Sequence, residues 1–501
     1  MKTPLRSILV ANRGEIAVRI IRTCRELGKR TIAVYSDADA RSPHVSAADE
    51  AYRIGPPPAR ESYLRSDTII ETALRAGADA IHPGYGFLSE NPNFAAAVRD
   101  AGLVFIGPPP EAIRAMGDKT SARELMRAAG VAVVPGTPGP ISSAEEARAF
   151  CEHAGLPVLL KAAAGGGGKG MRVVFSMEEL PAALAGAQSE ALSAFGDGRV
   201  YAEKYLEHTR HIEIQILADT AGNVIHLGER ECSIQRRHQK VVEESPSVAI
   251  TEAVRERMGE MAVRAGKACG YVNAGTVEFL FDAHGNFYFL EMNTRLQVEH
   301  PVTELRTGLD LVAEQLHIAE GERLRQQDVV FRGHAIECRI CAEDVEHDFM
   351  PVTGPLHHLR PALGPGVRDD RGVEAGGEVS LYYDPMIAKL VCWANTRDEC
   401  MARMLRALSE YEVVGVKTNI PFCEFVMRHP AFRSGNFNTH FVQEHFHPSK
   451  LRRMDETERR AAAAVAALLG NTTSAVPPSS DGAAETANNG WISLRRFGMR
   501  P

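Results

Sequence analysis

Glu278-Phe-Leu-Phe-Asp-Ala-His-Gly-Asn-Phe-Tyr-Phe-Leu-Glu291, followed without a break by Met-Asn-Thr-Arg-Leu-Gln-Val-Glu-His300, is the stretch that decides the fold. Two apolar, aromatic runs flank Asp282-Ala-His-Gly285, the pattern of a β-hairpin. A tight turn centred on His284-Gly285 places Glu278 directly opposite Glu291, where Cβ atoms stand about 5 Å apart and like charges repel. Both faces of the hairpin are apolar, so these carboxylates need a proton or a cation to neutralise them. A divalent cation does so, and Asn293, two residues beyond Glu291 on the same face, adds an oxygen of the kind Mg²⁺ takes. The other reading is two edge-strand glutamates held in salt bridges.

With 501 residues and 44% apolar content, the chain can form roughly two to four domains and a large core. A net charge of −7 with both signs interspersed argues against a nucleic-acid-coating protein. No apolar run reaches the ~18 residues of a spanning helix, and Met1-Lys-Thr-Pro-Leu-Arg-Ser7 lacks a signal peptide's apolar segment. The expectation is therefore a cytoplasmic protein without a membrane partner. The nine cysteines are scattered and odd in number, which suits reduced thiols. Cys338-Arg-Ile-Cys341 has the spacing of a metal or redox pair, but it lies in a strand-like run where residues three apart point to opposite faces.

Along the chain, a buried strand at 7–12, an amphipathic helix through Leu27 and a strand at 31–35 make an opening β-α-β unit. A helix at 67–76, short strands at 80–82 and 104–106 and a helix at 94–100 complete a small open α/β domain. It lacks the spaced glycines of a dinucleotide site. Pro108-Pro-Pro110 marks a boundary, followed by helices at 111–117 and 119–129 and a strand at 132–134. Residues 141 to about 205 read as a compact inserted unit: a helix opened by Ser142 or Ser143, strands at 158–161, 171–175 and 200–205, and a glycine-hinged shape suited to a lid. Strands at 213–218 and 224–229, a loop at 232–240 and a helix near 251–269 lead to the hairpin. A further α/β portion at 333–441 contains strands at 334–340 and 386–393 and a helix at 397–411. The tail reads as an Ala- and Arg-rich helix at 452–469, a linker at 471–490, and a short strand or docking peptide at 491–496.

Val158-Leu-Leu-Lys161-Ala-Ala-Ala-Gly165-Gly-Gly-Gly168-Lys169-Gly170-Met171 joins two strands by a glycine loop. Its spacing is not that of a P-loop and it opens no helix. Its amides can still close over phosphates, with Lys161 as a fixed cation; the alternative is a flexible hairpin tip.

Lys119, Lys161, the glycine loop, Tyr201-Ala-Glu203-Lys204-Tyr-Leu206 and the Glu278, Glu291 and Asn293 set together resemble the ATP-grasp ligases, which hold Mg-ATP between a mobile lid and an α/β body. Ala11-Asn-Arg-Gly-Glu-Ile16, His82-Pro-Gly-Tyr-Gly-Phe-Leu-Ser-Glu-Asn91, Glu229-Arg-Glu-Cys-Ser-Ile-Gln-Arg-Arg-His-Gln-Lys240, the run from Glu291 to His300, and Gly333-His-Ala-Ile-Glu-Cys-Arg339 narrow the resemblance to the biotin carboxylases, over residues 7 to about 445. The implied fold class is α/β with α+β character: an N-terminal open α/β domain at 1–117, an ATP-grasp domain at 118–332 with a mobile lid at about 135–205, a C-terminal α+β domain at 333–445, and a tail at 446–501.

The resemblance also implies roles. Glu278 and Glu291, with Asn293, would hold Mg²⁺ or Mn²⁺ against ATP; Lys119 and Lys161 would contact phosphates, with Gly167, Gly168 and Met171 in or beside the lid loop. Glu203, Lys204 and Leu206 would border the adenine, and His211, Gln235 and His238 would approach the nucleotide; without the resemblance, either histidine alone reads better as a surface residue. Lys240, Arg295, Gln297 and Val298 would form a bicarbonate pocket in which Glu299 takes the proton, although Arg295 and Glu299 also have i,i+4 ion-pair spacing. Carboxyphosphate would form and break to CO₂ and phosphate, that phosphate would deprotonate N1′ of biotin, and Arg339 would stabilise the ureido oxygen. The basic run at 236–240 is followed by Glu243-Glu244, which points to an anion site, not a nucleic-acid patch, and Cys232 is expected to be a spectator.

Larger members of this superfamily carry a biotinyl lysine between methionines, and the only Met-Lys here is Met1-Lys2. Biotin is therefore expected as a substrate borne on a separate biotin carboxyl carrier protein, with carboxyltransferase subunits completing an acyl-CoA carboxylase. Acetyl-CoA is the expected acceptor; propionyl-CoA, another acyl-CoA and pyruvate remain open. Asn488-Asn-Gly-Trp-Ile-Ser493 loosely resembles the start of a subunit-docking region, and a disordered end fits as well. Family habit implies a homodimer, with Arg19 either at its interface or solvated. The rival readings are an ATP-grasp ligase or carbamoyl-phosphate enzyme consuming an amine or ammonia, and a non-catalytic ATP-binding protein.

Overall fold

The computed structural model describes residues 4–451 except 142, 164–170, 238 and 325–328, and three tail positions, 457, 460 and 464, all helical. Residues up to Leu451 form one compact unit. The remainder of the expected tail helix, the linker and the 491–496 segment lie outside the described residues.

Short, continuously apolar runs open the chain, as expected of strands covered on both faces. Strands β1 (Ser7–Val10), β2 (Arg30–Ser36), β3 (Glu50–Gly55), β4 (Ala80–His82) and β5 (Val104–Phe105) form a parallel sheet in the order β3-β2-β1-β4-β5. The helix Gly14–Glu26 that follows β1 is buried along most of its length. Arg19 on it is 7% exposed and donates through Nη2 to Glu304 Oε1 and Asp310 Oδ1, both at 2.8 Å. The solvated reading of Arg19 is thereby corrected: the arginine ties the first helix to the segment after the hairpin. At the carboxyl ends of β1 and β4, Asn12 Nδ2 donates to the carbonyls of Pro83 (2.7 Å) and Tyr85 (2.8 Å), which brings the first two motifs together at a sheet crevice.

Three antiparallel strands, β6 (Val158–Ala162), β7 (Met171–Val174) and β8 (Val200–Lys204), form a separate small sheet in the order β7-β6-β8. Val158, Leu160, Leu184 and Val200 pack beneath it with the helices Ala144–Ala154 and Leu180–Phe195. Ser143 is the N-cap of the first, its side chain accepting from Glu146 N. The strand expected at 132–134 is reduced to one bridge, Val133 to Phe289. Pro135 follows at once and has no N–H to extend a ladder.

The body of the molecule is a single antiparallel sheet of eight strands. These are β9 (Arg210–Ala218), β10 (Val224–Arg236), β11 (Gln239–Ser245), β12 (Asn273–Phe281), β13 (Phe287–Asn293), β14 (His334–Cys341), β15 (Val367–Arg371) and β16 (Met386–Ala394), in the order β13-β12-β9-β10-β11-β14-β16-β15. The loop expected at 232–240 is instead mostly strand, since β10 runs to Arg236 and turns at Arg237 into β11. Arg236 and Arg237 reach Asp348 and Lys240 reaches the glutamates of neighbouring strands, so composition alone imitated a loop. The helix Glu252–Ala268 covers β9 and β10, with Gly266 close against Ile216. Cys338 is buried and Cys341 half-buried on β14, and both are free thiols.

The hairpin forms with Glu278 paired to Glu291, but by a route the sequence concealed. Phe281 pairs with Phe287 and Phe279 with Phe289, which puts the centre of the connection at His284. Continued evenly, that register would set Leu290 against Glu278. A bulge at Leu290 inserts one residue and restores the Glu278–Glu291 pair. The turn itself is held by Asp282 Oδ1, which accepts from the backbone of His284 and Asn286, both at 2.8 Å, and by Gly285 at φ +83°.

Close docking of the first helix on the end of β15 is testable at Gly372, where a Cβ would lie 2.4 Å from Glu15 N and 2.7 Å from the Gly14 carbonyl carbon. Gly372→Ala is expected to destabilise by about 1–3 kcal/mol, as overpacking does. An unchanged thermal unfolding midpoint would show that this contact is not tight.

Candidate active site

Strand register builds the site. Glu213 on β9 pairs with Glu278 on β12, and Glu278 pairs with Glu291 on β13, so three glutamates stand in a row across adjacent strands. Neighbouring strands lie about 4.8 Å apart, and such a row is untenable without counter-charge. Lys240 on β11 supplies it. Its Nζ donates to Glu213 Oε2 (2.5 Å), Glu278 Oε1 (2.8 Å) and Glu299 Oε1 (2.7 Å). Burial alone would lower the Lys240 ammonium, but the three carboxylates hold it well above its usual range. Arg230, fully buried, donates to Glu213, to Gln215 Oε1 (2.8 Å), to Thr303 Oγ1 (3.0 Å) and to Thr276 Oγ1 (2.9 Å). That carboxylate end of the row is therefore fixed twice.

Glu299, the residue before the helix His300–Thr307, lies between two cations: Lys240 on Oε1 and Arg339 Nη2 on Oε2 at 3.0 Å. Burial would raise its carboxyl, yet Lys240, Arg339 and Arg230 hold it well below the usual range, so it is ionised near neutrality. Arg339 Nε is held by Glu243 Oε1 at 2.6 Å. The i,i+4 pairing of Arg295 with Glu299 is corrected: Arg295 instead meets Glu90 Oε2 (2.9 Å), Gln297 Oε1 (2.9 Å) and Asn293 Oδ1 (3.0 Å). The helix begins after both residues, so helical spacing never applies to them. Gln297 Nε2 reaches Glu278 Oε1 at 3.3 Å, and the Val298 carbonyl accepts from Lys389 Nζ at 2.9 Å.

Glu278 and Glu291 suit a divalent cation. Glu278 is ionised: burial would raise it, but Lys240 and His211, whose Nε2 is 3.0 Å from Oε2, pull it down. Glu291 makes no hydrogen bond or ion pair among the described residues, and burial beside Glu278 raises its carboxyl, the strain a bound cation relieves. Asn293 turns its nitrogen to Glu278 Oε1 (2.8 Å) and its oxygen to Arg295, so ligation through that oxygen requires its release from the guanidinium.

Lys161 donates to Glu203 Oε2 at 2.5 Å, and Arg123 closes on the other carboxylate oxygen. Lys204 Nζ is used on the carbonyls of Gly155 and Leu156, both at 3.0 Å. Met171 pairs with Lys161 across β6 and β7, Gln235 pairs with Lys240, and Lys119 and Leu206 are half-buried. Gly167, Gly168 and His238 lie outside the described residues. Sequence reasoning missed Glu90, Arg123, Glu213, Arg230, Glu243 and Glu337. Period-two reading of 213–218 and of the Glu229-Arg-Glu run could have found Glu213 and Arg230; the others become visible only once distant strands are paired.

Comparison with known proteins agrees over the same span. Residues 4–113 match the model described as biotin carboxylase, N-terminal domain; residues 118–327 match carbamoyl-phosphate synthase L chain, ATP binding domain; and residues 337–444 match biotin carboxylase C-terminal domain. One of the pyruvate carboxylase subunits of Methanothermobacter thermautotrophicus is 56% identical over 440 residues, covering 87% of this chain and 89% of that one. Biotin carboxylase of Halalkalibacterium halodurans is 54% identical over 442 residues, 88% and 98% of the two chains. The alpha chain of mitochondrial methylcrotonoyl-CoA carboxylase from Arabidopsis thaliana is 53% identical over 445 residues, 88% of this chain and 61% of that one. Among solved structures, the biotin carboxylase domain dimer of Hydrogenobacter thermophilus 2-oxoglutarate carboxylase, in complex with MgADP, ADP and bicarbonate, superposes with a TM-score of 0.86 at 48% identity. It covers 90% of this chain and 100% of that one. Fold and matches together define an ATP-dependent carboxylating ligase with the ATP-grasp fold. Within that class the chain belongs to the biotin carboxylase family.

Glu337 on β14, behind the site, makes the stability of the fold depend on pH. It pairs with Glu243 across to β11, both its oxygens are buried without a hydrogen-bond partner, and burial pushes its carboxyl well above the usual range. A raised carboxyl contributes its stability below the unfolded value, near 4.5, and loses it as pH rises toward the folded value, at up to about 1.4 kcal/mol per pH unit. Glu337→Gln, uncharged throughout, is expected to gain thermal stability relative to the parent as pH is raised from about 5.5 to about 8. A difference that does not change with pH would contradict a neutral Glu337.

Proposed function

We propose that this biotin carboxylase takes Mg-ATP and bicarbonate and carboxylates N1′ of biotin borne on a separate carrier protein, the first half-reaction of an acyl-CoA carboxylase with acetyl-CoA as acceptor. The observation that carries this reading is Glu299 clamped between Lys240 and Arg339, beside the Glu213–Glu278–Glu291 row. Glu278 and Glu291, with Asn293 once freed from Arg295, are the cation ligands; when bound, Mg²⁺ neutralises phosphate charge and lines up the γ-phosphoryl group. Lys119, Lys161, Met171 and the loop with Gly167 and Gly168 hold the phosphates, while Glu203, Lys204, Leu206, His211, Gln235 and His238 line the rest of the nucleotide. The domain division at 1–117, 118–332 with a lid at about 135–205, and 333–445 belongs to the same proposal.

Lys240, Arg295, Gln297 and Val298 receive bicarbonate. An incoming anion takes over part of the charge of Lys240, which lets Glu299 rise from its depressed state toward a useful base. Glu299 accepts the bicarbonate proton, and the resulting oxygen attacks the γ-phosphorus, forming one P–O bond while the bond to ADP breaks. Carboxyphosphate then divides into CO₂ and phosphate. The phosphate takes the N1′ proton, nitrogen bonds the CO₂ carbon, and Arg339 carries the charge on the ureido oxygen. A carrier protein, carboxyltransferase subunits, a homodimer and a cytoplasmic setting complete the proposal, with no nucleic acid. Among the described residues, no helix is long and apolar enough to cross a membrane. Pyruvate carboxylase and methylcrotonoyl-CoA carboxylase chains among the relatives keep other acceptors in view.

The test is phosphate release from Mg-ATP and labelled bicarbonate, with and without free biotin or biotinylated carrier. Biotin-dependent turnover with acid-labile label on biotin is expected, falling by roughly 10²- to 10⁴-fold in Glu299→Gln as for loss of a positioned base. Turnover stimulated only by an amine, with no label on biotin, would overturn the assignment. Assaying different acyl-CoA substrates and pyruvate in the reconstituted assembly separates the acceptors.

A further inference from the structure

Away from the carboxylate row, His208, His440 and Glu444 bring three ligand atoms within 4.8 Å of one another. They come from two distant parts of the chain. His208 lies in the short connection between β8 and β9; His440 caps and Glu444 belongs to the helix Phe441–His445. A backbone hydrogen bond from Thr439 N to Thr209 O, at 3.0 Å, fastens the two segments together, so the convergence does not rest on side-chain placement alone.

Three further observations distinguish this cluster from a chance surface grouping. His208 sits at φ +52°, in the left-handed region that non-glycine residues rarely adopt. This backbone turn is part of what brings the imidazole against the helix, with Nδ1 3.9 Å from Glu444 Oε1 and 3.4 Å from Asn438 Nδ2. The half-buried His440 uses Nε2 at 3.4 Å from Tyr205 Oη, and its buried Nδ1 has no hydrogen-bond partner. A ligating histidine commonly has its second ring nitrogen engaged in this way, which fixes the ring's orientation. The two imidazole centroids are 6.1 Å apart with planes at 72°, an edge-to-face arrangement and not a stack. Such a set asks for a borderline cation. Two imidazoles and one carboxylate, with a remaining position for water, are the donor set of tetrahedral Zn²⁺, whereas Mg²⁺ prefers oxygens throughout.

We propose that His208, His440 and Glu444 form a Zn²⁺-class transition-metal site that cross-links the connection after β8 to the C-terminal helix, at a place separate from the carboxylates assigned to Mg-ATP. None of the three residues has a part in the proposed chemistry, so the site is structural or regulatory.

The full chain, stripped with a chelator, is titrated with Zn²⁺ in competition with a chromophoric indicator, alongside His208→Ala and Glu444→Gln. His208 and Glu444 are exposed, so neither change threatens the core. The parent is expected to bind one more Zn²⁺ per chain than His208→Ala. Glu444→Gln is expected to retain the site with affinity weakened by about tenfold or more. Zn²⁺ is also expected to raise the thermal midpoint of the parent and not that of His208→Ala, since a ligand that binds only the folded state stabilises it. Equal stoichiometry and affinity in all three chains, or Zn²⁺ bound only at sites that Mg²⁺ displaces, would overturn the proposal.

Discussion

Three carboxylates in one row across β9, β12 and β13 are the constraint around which the rest of this molecule is arranged. Ordinary sheet spacing makes such a row electrostatically unfavourable, and the fold answers with cations delivered from elsewhere: Lys240 from β11 and Arg230 from β10. Arg230 is fully buried and Lys240 largely so, so neither charge sign is stable there without the other. A site of this kind stores its working charges in mutual contact. In the proposed reaction, anionic substrates would exchange internal ion pairs for new ones without requiring charges to be created.

The pairing of β11 with β14 is the second organising contact. It runs one sheet continuously from the hairpin to the C-terminal strands and sets Glu243 opposite Glu337. Arg339, two residues beyond Glu337, thereby reaches both Glu243 and Glu299 from a part of the chain ninety-odd residues away from the first. The N-terminal sheet joins the same network through Glu90, which accepts from Arg295 and from Thr294 N at 3.0 Å. A carboxylate in the first hundred residues thus orients a guanidinium at the far end of the hairpin.

Much of the architecture was legible because its signals are local. Short apolar runs marked four of the five parallel strands, β3 with its Glu50 and Arg53 going unread, and the aromatic, apolar runs of the hairpin announced a turn at Asp282–Gly285. Where local composition and final environment diverge, the reading failed. The 232–240 segment is polar yet mostly strand: Lys240 reaches the carboxylate row, whereas Arg236 and Arg237 pair with Asp348. Arg295 and Glu299 have helical spacing without a helix. Glu243 and Glu337 were unreadable as site components because their significance arises from cross-strand register, which no single segment encodes.

The bulge at Leu290 separates the geometry of the hairpin tip from the position of the carboxylate behind it. One unpaired residue acts as a phase adjuster: the connection at 282–286 can be centred on one residue while the chemistry is registered to a different centre. Change of loop length by a single residue would ordinarily turn a whole strand inside out. Here a compensating shift of one bulge would absorb it, so the outer end of this hairpin is where the lineage, or a protein engineer, has latitude to graft new sequence without disturbing the row of glutamates.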